Sequence, residues 1–121
     1  MPNNVVLVVE DDPELRLLFT TILELDNKRV ITAVNGEEAL DLARQHHPDV
    51  IVLDLMLPKM TGEEFRAVQL ANGTLKNIPV VVVSAHPHLE AIATRMNVDA
   101  FLSKPVDFGA FASFVNRHAR H

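Results

Sequence analysis

The sequence predicts a doubly wound α/β fold on a five-stranded parallel sheet, and three observations carry the prediction. Short runs of β-branched residues alternate with longer amphipathic stretches along the whole chain. The runs, such as Val5-Val6-Leu7-Val8-Val9 and Val80-Val81-Val82-Val83, are apolar throughout, as strands covered on both faces are. The segments between them place apolar residues at helical spacing. Consecutive βα units require right-handed crossovers, which put helices on both faces of the sheet. Periodicity by itself leaves the strand order open.

Val5–Val9 is the first strand. Asp12 then Pro13 marks a helix start, because an Asp side chain accepts bonds from the first free N–H groups and Pro suits the first helical position. Leu15, Leu18, Phe19, Ile22 and Leu23 share one face and predict a helix to about Asp26. Residues 29–34 form the second strand. Asn35-Gly36 opens a helix lined by Ala39, Leu40 and Ala43 and closed by His46-His47-Pro48. Residues 49–53 form the third strand, 57–62 a loop, and 63–71 the third helix. A polar connection at 72–79 leads to the fourth strand at 80–83. A short helix at 88–96 and a short strand at 100–103 follow. Asp107 caps a last helix with Phe111, Phe114 and Val115 facing inward.

One domain over residues 1–121 is expected from this length, and 48% apolar residues suffice for a core. A net charge of −5 without a basic stripe argues against nucleic-acid binding by this chain alone. The absence of cysteine removes disulfides, thiol catalysis and zinc–thiolate sites. Neither a signal region nor a stretch of membrane-spanning length is visible, so a soluble cytoplasmic domain is the expectation.

Four strand ends deliver polar groups. Val5–Val9 runs into Glu10-Asp11-Asp12, residues 50–53 into Asp54, residues 80–83 into Ser84, and Phe101-Leu102, one residue later, into Lys104-Pro105. Open parallel sheets bind their ligands at that edge. Helix capping accounts for Asp12 but not for three carboxylates. Two carboxylates ~5 Å apart at an effective dielectric of ~20 repel by roughly 3 kcal/mol, so gathering them calls for a cation. Mg²⁺ suits the site, since it takes one or two carboxylates, several waters and phosphate oxygens. Asp11 and Asp54 are the expected ligands, with Glu10 holding a metal-bound water. Pro105 biases Lys104 to an extended backbone and permits a cis bond between them. Lys104 can then pair with Asp54 at rest and with a phosphoryl group afterwards, while Ser84 offers a hydroxyl to a phosphoryl oxygen. The chemistry that follows is phosphoryl transfer to Asp54, a carboxylate nucleophile that needs no general base. The cation and Lys104 neutralise the transferring group.

With these residues in place, the chain resembles the receiver domain of two-component response regulators from end to end. The matching pieces are Val-Val-Glu10-Asp11-Asp12, Val-Leu-Asp54-Leu-Met56-Leu-Pro58-Lys-Met-Thr-Gly62, Val-Val-Ser84-Ala85 and Phe101-Leu-Ser-Lys104-Pro105. The resemblance implies a flavodoxin-like (βα)5 fold with strand order 2-1-3-4-5. It implies Asp54 as phosphoacceptor, Lys104 as the phosphate-sensing lysine, Ser84 as the switch hydroxyl and Phe101 as the switch aromatic. Glu10, Asp11, Asp54 and the main-chain carbonyl of Met56 would hold Mg²⁺. The phosphoryl donor would be a phosphohistidine on a sensor histidine kinase or a histidine phosphotransfer protein. Such a chain catalyses only its own phosphorylation and dephosphorylation.

Three departures from the family pattern stand out. Thr61 stands where an acidic residue usually precedes Gly62, a loop position where little effect is expected. The stretch between Ser84 and Lys104 is a little short, with Asn97-Val98-Asp99 replacing a Gly-containing turn, so the fourth helix is expected to be short or irregular. Phe101 lacks the hydroxyl of the commoner Tyr. Of the six histidines, His46 and His47 suit a helix end, His118 and His121 are expected in a frayed tail, and His86 near the mouth of the site. Phe108 falls off the inward stripe of the last helix and is expected on a partner or homodimer surface. Other readings fit less well. A degenerate receiver serving only as an interaction module usually loses the acceptor or the lysine. A Mg²⁺-dependent aspartyl-nucleophile phosphatase needs an Asp where Met56 stands. A flavin binder needs a Ser/Thr/Gly-rich loop where Glu10-Asp11-Asp12 stands.

Overall fold

The computed structural model describes residues 4–119. Strands and helices alternate in the order β1 (Val5–Val9), α1 (Pro13–Leu25), β2 (Arg29–Ala33), α2 (Gly36–His46), β3 (Val50–Leu53), α3 (Gly62–Leu70), β4 (Val80–Ser84), α4 (Leu89–Met96), β5 (Ala100–Ser103) and α5 (Phe108–His118). All strand pairs are parallel, and the sheet order is β2-β1-β3-β4-β5. Fold class and strand order are those the sequence implied.

The strands are apolar without interruption because each face of the sheet has its own core. Leu7, Val9, Ile51, Leu53, Val80 and Val82 pack with Leu40 of α2, Phe65 of α3 and Ile92 of α4. The alternate residues Val6, Val8, Val50, Val52, Val81 and Val83 pack with Phe19 and Leu23 of α1 and with Phe111 and Val115 of α5. The rings of Phe19 and Phe111 stack with centroids 4.5 Å apart, joining α1 to α5.

Helix ends follow local chemistry. Asp12 caps α1, accepting from the N–H groups of Glu14 and Leu15 at 2.9 and 3.4 Å. Asn35 and Asp107 cap α2 and α5 in the same way. Asn97 ends the short α4 with φ 56°, a left-handed position that Asn tolerates in place of Gly. Thr61 is more than a loop residue. It caps α3, and its N–H and hydroxyl bond reciprocally with Glu64, the capping box that a Thr-x-x-Glu spacing encodes.

Several expectations need correction. Leu18 is 40% exposed, because the inward stripe of α1 centres on Phe19 and Leu23. Phe114 does face its core as expected, partly buried against it, with its ring 5.0 Å from that of His118. His118 is the last residue of α5 rather than part of a frayed tail, and His121 lies outside the described residues. Element boundaries shift by about one residue from the expected ones. Among the described residues, no helix is long and apolar enough to cross a membrane.

Candidate functional site

Sheet register assembles the site. Val9 of β1 pairs with Leu53 of β3, so Glu10 and Asp54, the next residues, emerge side by side at the carboxyl edge. The Asp54 N–H donates to the Val9 carbonyl at 3.2 Å. On the other side of β3, Leu53 pairs with Val82, and Ser84 at the end of β4 pairs with Ser103 of β5. The Lys104 N–H donates to the Ser84 carbonyl at 3.0 Å, placing Lys104 beyond the end of β5. The Lys104–Pro105 peptide bond is cis.

The centre of the site is a lysine shared by two carboxylates. Lys104 Nζ lies 2.8 Å from Asp54 Oδ2 and 2.7 Å from Glu10 Oε1. The Asp54 contact matches the sequence reading; the Glu10 contact was not foreseen. Asp54 Oδ1 accepts from the Met56 N–H at 3.1 Å, and Glu10 Oε2 accepts from the Asp12 N–H at 3.2 Å. Both carboxylates are buried, with relative exposures of 4% for Asp54 and 2% for Glu10. Burial pushes the Glu10 carboxyl above its ordinary value; the Lys104 bond opposes this and the negative charge of Asp54 adds to it. For Lys104, burial acts downward but is outweighed by its bonds to Asp54 and Glu10, so the net direction is up.

Asp11 is exposed at the tip of the β1–α1 loop. Glu10, Asp11 and Asp54 can each offer an oxygen, all within 4.8 Å of one another. Beneath Asp54 the chain is tightly packed. A Cβ on Gly62 would meet the Asp54 carbonyl oxygen at 2.7 Å and Leu55 Cα at 2.9 Å, so only glycine lets α3 start this close to the end of β3. The Met56 side chain is 49% exposed, on the loop that follows.

Ser84 is fully buried at the same edge. Its Oγ accepts from the His86 N–H at 3.3 Å, and His86 Nδ1 accepts from the His88 N–H at 3.0 Å. Phe101 is half-buried against the core that α4 shares, and lines a cavity of about 250 Å³ with Ala93, Thr94 and Val98. Phe108 is 46% exposed, as expected. It borders a cavity of about 320 Å³ with Leu15, Phe19, Lys104, Pro105 and Val106. Glu10, Asp54, Ser84 and Lys104 thus share one sheet edge, with Asp54, Glu10 and Lys104 in direct contact, whereas Phe101 lies further back along β5, opposite Val82.

Comparison with known proteins shows the family and the fold. The family model for the response regulator receiver domain matches residues 6–116. This chain belongs to the response regulator receiver family. The receiver is 33% identical over 115 residues to the polar-differentiation response regulator DivK of Brucella ovis, covering 93% of this chain and 94% of DivK. Its fold is similar to that of the chemotaxis protein CheY4 of Vibrio cholerae, with a TM-score of 0.88 and 26% identity over 96% of this chain and 98% of that one. The Mn(2+)-bound form of response regulator Rcp1 is similar with a TM-score of 0.81 and 26% identity, covering 93% of this receiver and 92% of Rcp1.

Two features of the site escaped sequence reasoning. The Glu10–Lys104 bond joins residues 94 positions apart, and no local pattern signals it. Arg16 was also missed; its Nη1 donates to the carbonyls of Glu10 and Asp11 at 2.9 and 3.3 Å. An Arg one turn into a helix that follows an acidic loop is the signal that could have found it.

Proposed function

We propose that this receiver accepts a phosphoryl group on Asp54 from a phosphohistidine of a sensor histidine kinase or a histidine phosphotransfer protein. The observation that carries the proposal is the setting of Asp54. One oxygen is on Lys104, the other is held by the Met56 N–H, and the oxygens of Glu10 and Asp11 converge beside them. An Asp54 oxygen attacks phosphorus as the P–N bond breaks. The electron pair goes to the imidazole nitrogen of the departing, ring-protonated histidine.

The donor set fits Mg²⁺. It consists of hard carboxylate oxygens, without sulfur or imidazole. Glu10, Asp11, Asp54 and the Met56 carbonyl would hold the ion, with Glu10 acting through a water because Lys104 and the Asp12 N–H engage its oxygens. When bound, Mg²⁺ supplies positive charge to the phosphoryl oxygens. The related Rcp1 was solved with Mn²⁺, an ion of similar oxygen preference.

After transfer, Lys104 exchanges a carboxylate contact for a phosphoryl oxygen. Ser84 turns its hydroxyl from the His86 N–H toward the phosphate. Phe101 moves into the space this vacates and alters the surface formed by α4 and β5. The phosphohistidine-bearing partner approaches over the apolar cavity between Leu15 and Phe108, which opens beside Lys104. On this reading the chain works as one receiver unit in the cytoplasm. The test is incubation with acetyl phosphate and Mg²⁺, read by intact mass. One phosphoryl adduct is expected, lost when a chelator replaces the metal. No adduct, or an equal adduct with chelator, overturns the proposal.

A further inference from the structure

Arg16 has no part in the chemistry described above, yet it touches both acidic residues of the β1–α1 loop. From the start of α1 its Nη1 donates to the main-chain carbonyl of Glu10 at 2.9 Å and of Asp11 at 3.3 Å. Other groups of the loop are also engaged. The Glu10 N–H donates to the Ala33 carbonyl at 3.0 Å, the Asp12 N–H to Glu10 Oε2 at 3.2 Å, and the Asp12 side chain caps α1. Arg16 adds the hold on the carbonyls. With the peptides after Glu10 and after Asp11 both fixed, the direction in which each carboxylate leaves the backbone is set.

We propose that Arg16 is a positioning residue for the divalent-cation site, turning the Glu10 and Asp11 peptides so that their carboxylates converge on Asp54. The inference rests on the reading that this cluster holds Mg²⁺. Arg16 contacts main-chain oxygens of the acidic pair and acts on the ion through them.

The sign of the effect separates positioning from simple electrostatics. Arg16 places a positive charge on the backbone of an acidic loop. If charge were its only influence, removing it would leave the site more negative and tighten cation binding. If it holds the ligands in place, removing it weakens binding, as loss of an outer partner of a metal ligand does by ~10–100-fold. Arg16 is partly buried, and a partly buried charge acting within a few Å is little screened by salt. The two influences therefore oppose each other, and the sign of the change in Mg²⁺ affinity reads which one prevails.

The experiment is a calorimetric Mg²⁺ titration of the whole chain as wild type, Arg16→Met and Arg16→Lys, with a thermal melt of each. No binding by the wild type would defeat the cation reading itself, a failure distinct from that of this inference. With wild-type binding established, Arg16→Met is expected to bind about tenfold more weakly. Arg16→Lys is expected to recover most of the loss, because an ammonium can still donate to both carbonyls. Wild-type or tighter binding by Arg16→Met overturns the proposal. So does an equal loss in both variants with the same drop in melting temperature, which would mark a general loss of folding.

Discussion

Replacing Lys104 with Met tests how much the shared lysine holds together. Its Nζ bonds Glu10 at 2.7 Å and Asp54 at 2.8 Å, and both carboxylates are buried. Removing one partner of a buried ion pair costs about 3–5 kcal/mol, because the other charge is left uncompensated. Here two charges are left facing each other. That is a large part of the ~5–15 kcal/mol by which domains are stable. The pH dependence has a definite sign. Glu10 already sits above its ordinary 4.5, through burial first and the charge of Asp54 in addition, with Lys104 pulling it down. The folded state therefore holds this proton more tightly than the unfolded chain does. Stability from that source is present below about 4.5 and falls as pH rises through the folded value. Without Lys104 the folded value moves further up, and the fall extends toward neutrality at up to about 1.4 kcal/mol per pH unit. Lys104 itself is raised, so its own contribution in the wild type persists until alkaline pH. Urea unfolding followed by far-UV circular dichroism suits a chain without Trp or Tyr. Lys104→Met is expected to be less stable than wild type by about 3–5 kcal/mol at pH 7, with the gap narrowing toward pH 5 and on adding Mg²⁺. A gap below about 1 kcal/mol, or one independent of pH, would refute the reasoning.

Three further predictions follow from particular contacts. Gly62→Ala drives a methyl group into the Asp54 carbonyl and Leu55 Cα; it should cost about 1–3 kcal/mol in urea unfolding and slow phosphorylation by acetyl phosphate. Arg66 is buried and bonds Gln69 and the carbonyls of Met96 and Asn97, so Arg66→Ala leaves the end of α4 unpaired. A loss of about 1–3 kcal/mol per unsatisfied buried group is expected, with faster amide exchange at residues 96–99. Asp12 caps α1 while Asp11 faces the cluster. Asp11→Ala should therefore abolish Mg²⁺ binding in calorimetry, whereas Asp12→Ala should keep it and lose about 1 kcal/mol of stability; the reverse order would place the loop one residue out of register.

The fold was legible because its signals are local and repeated. Apolar runs of strand length, caps at Asp12 and Asp107, and Asn35-Gly36 each point the same way. Strand order came from the family resemblance, since periodicity carries no information on which strands are neighbours. The site was legible as a set of strand ends but not as a network. Asp54 with Lys104 followed from their positions, whereas the bond from Glu10 to Lys104 depends on register across four strands. The Arg66–Gln69 network was invisible for the same reason: its acceptors, Leu75, Ile78, Met96 and Asn97, lie on other segments. Thr61 is a different case. Its Thr-x-x-Glu spacing is a purely local signal, so its capping role is legible without any knowledge of the tertiary fold. Leu18 shows the limit of helical periodicity, since a stripe four residues wide in sequence buries only its centre.

Asp54 is the one residue on which the phosphoryl group is expected. After treatment with acetyl phosphate and Mg²⁺, the acyl phosphate is reduced with borohydride and the modified residue located by peptide mass spectrometry. The prediction is a single modified position, residue 54, converted from aspartate to homoserine, with no label on the Asp54→Asn variant. Label on another carboxylate, or label retained by that variant at the wild-type level, would contradict the central claim.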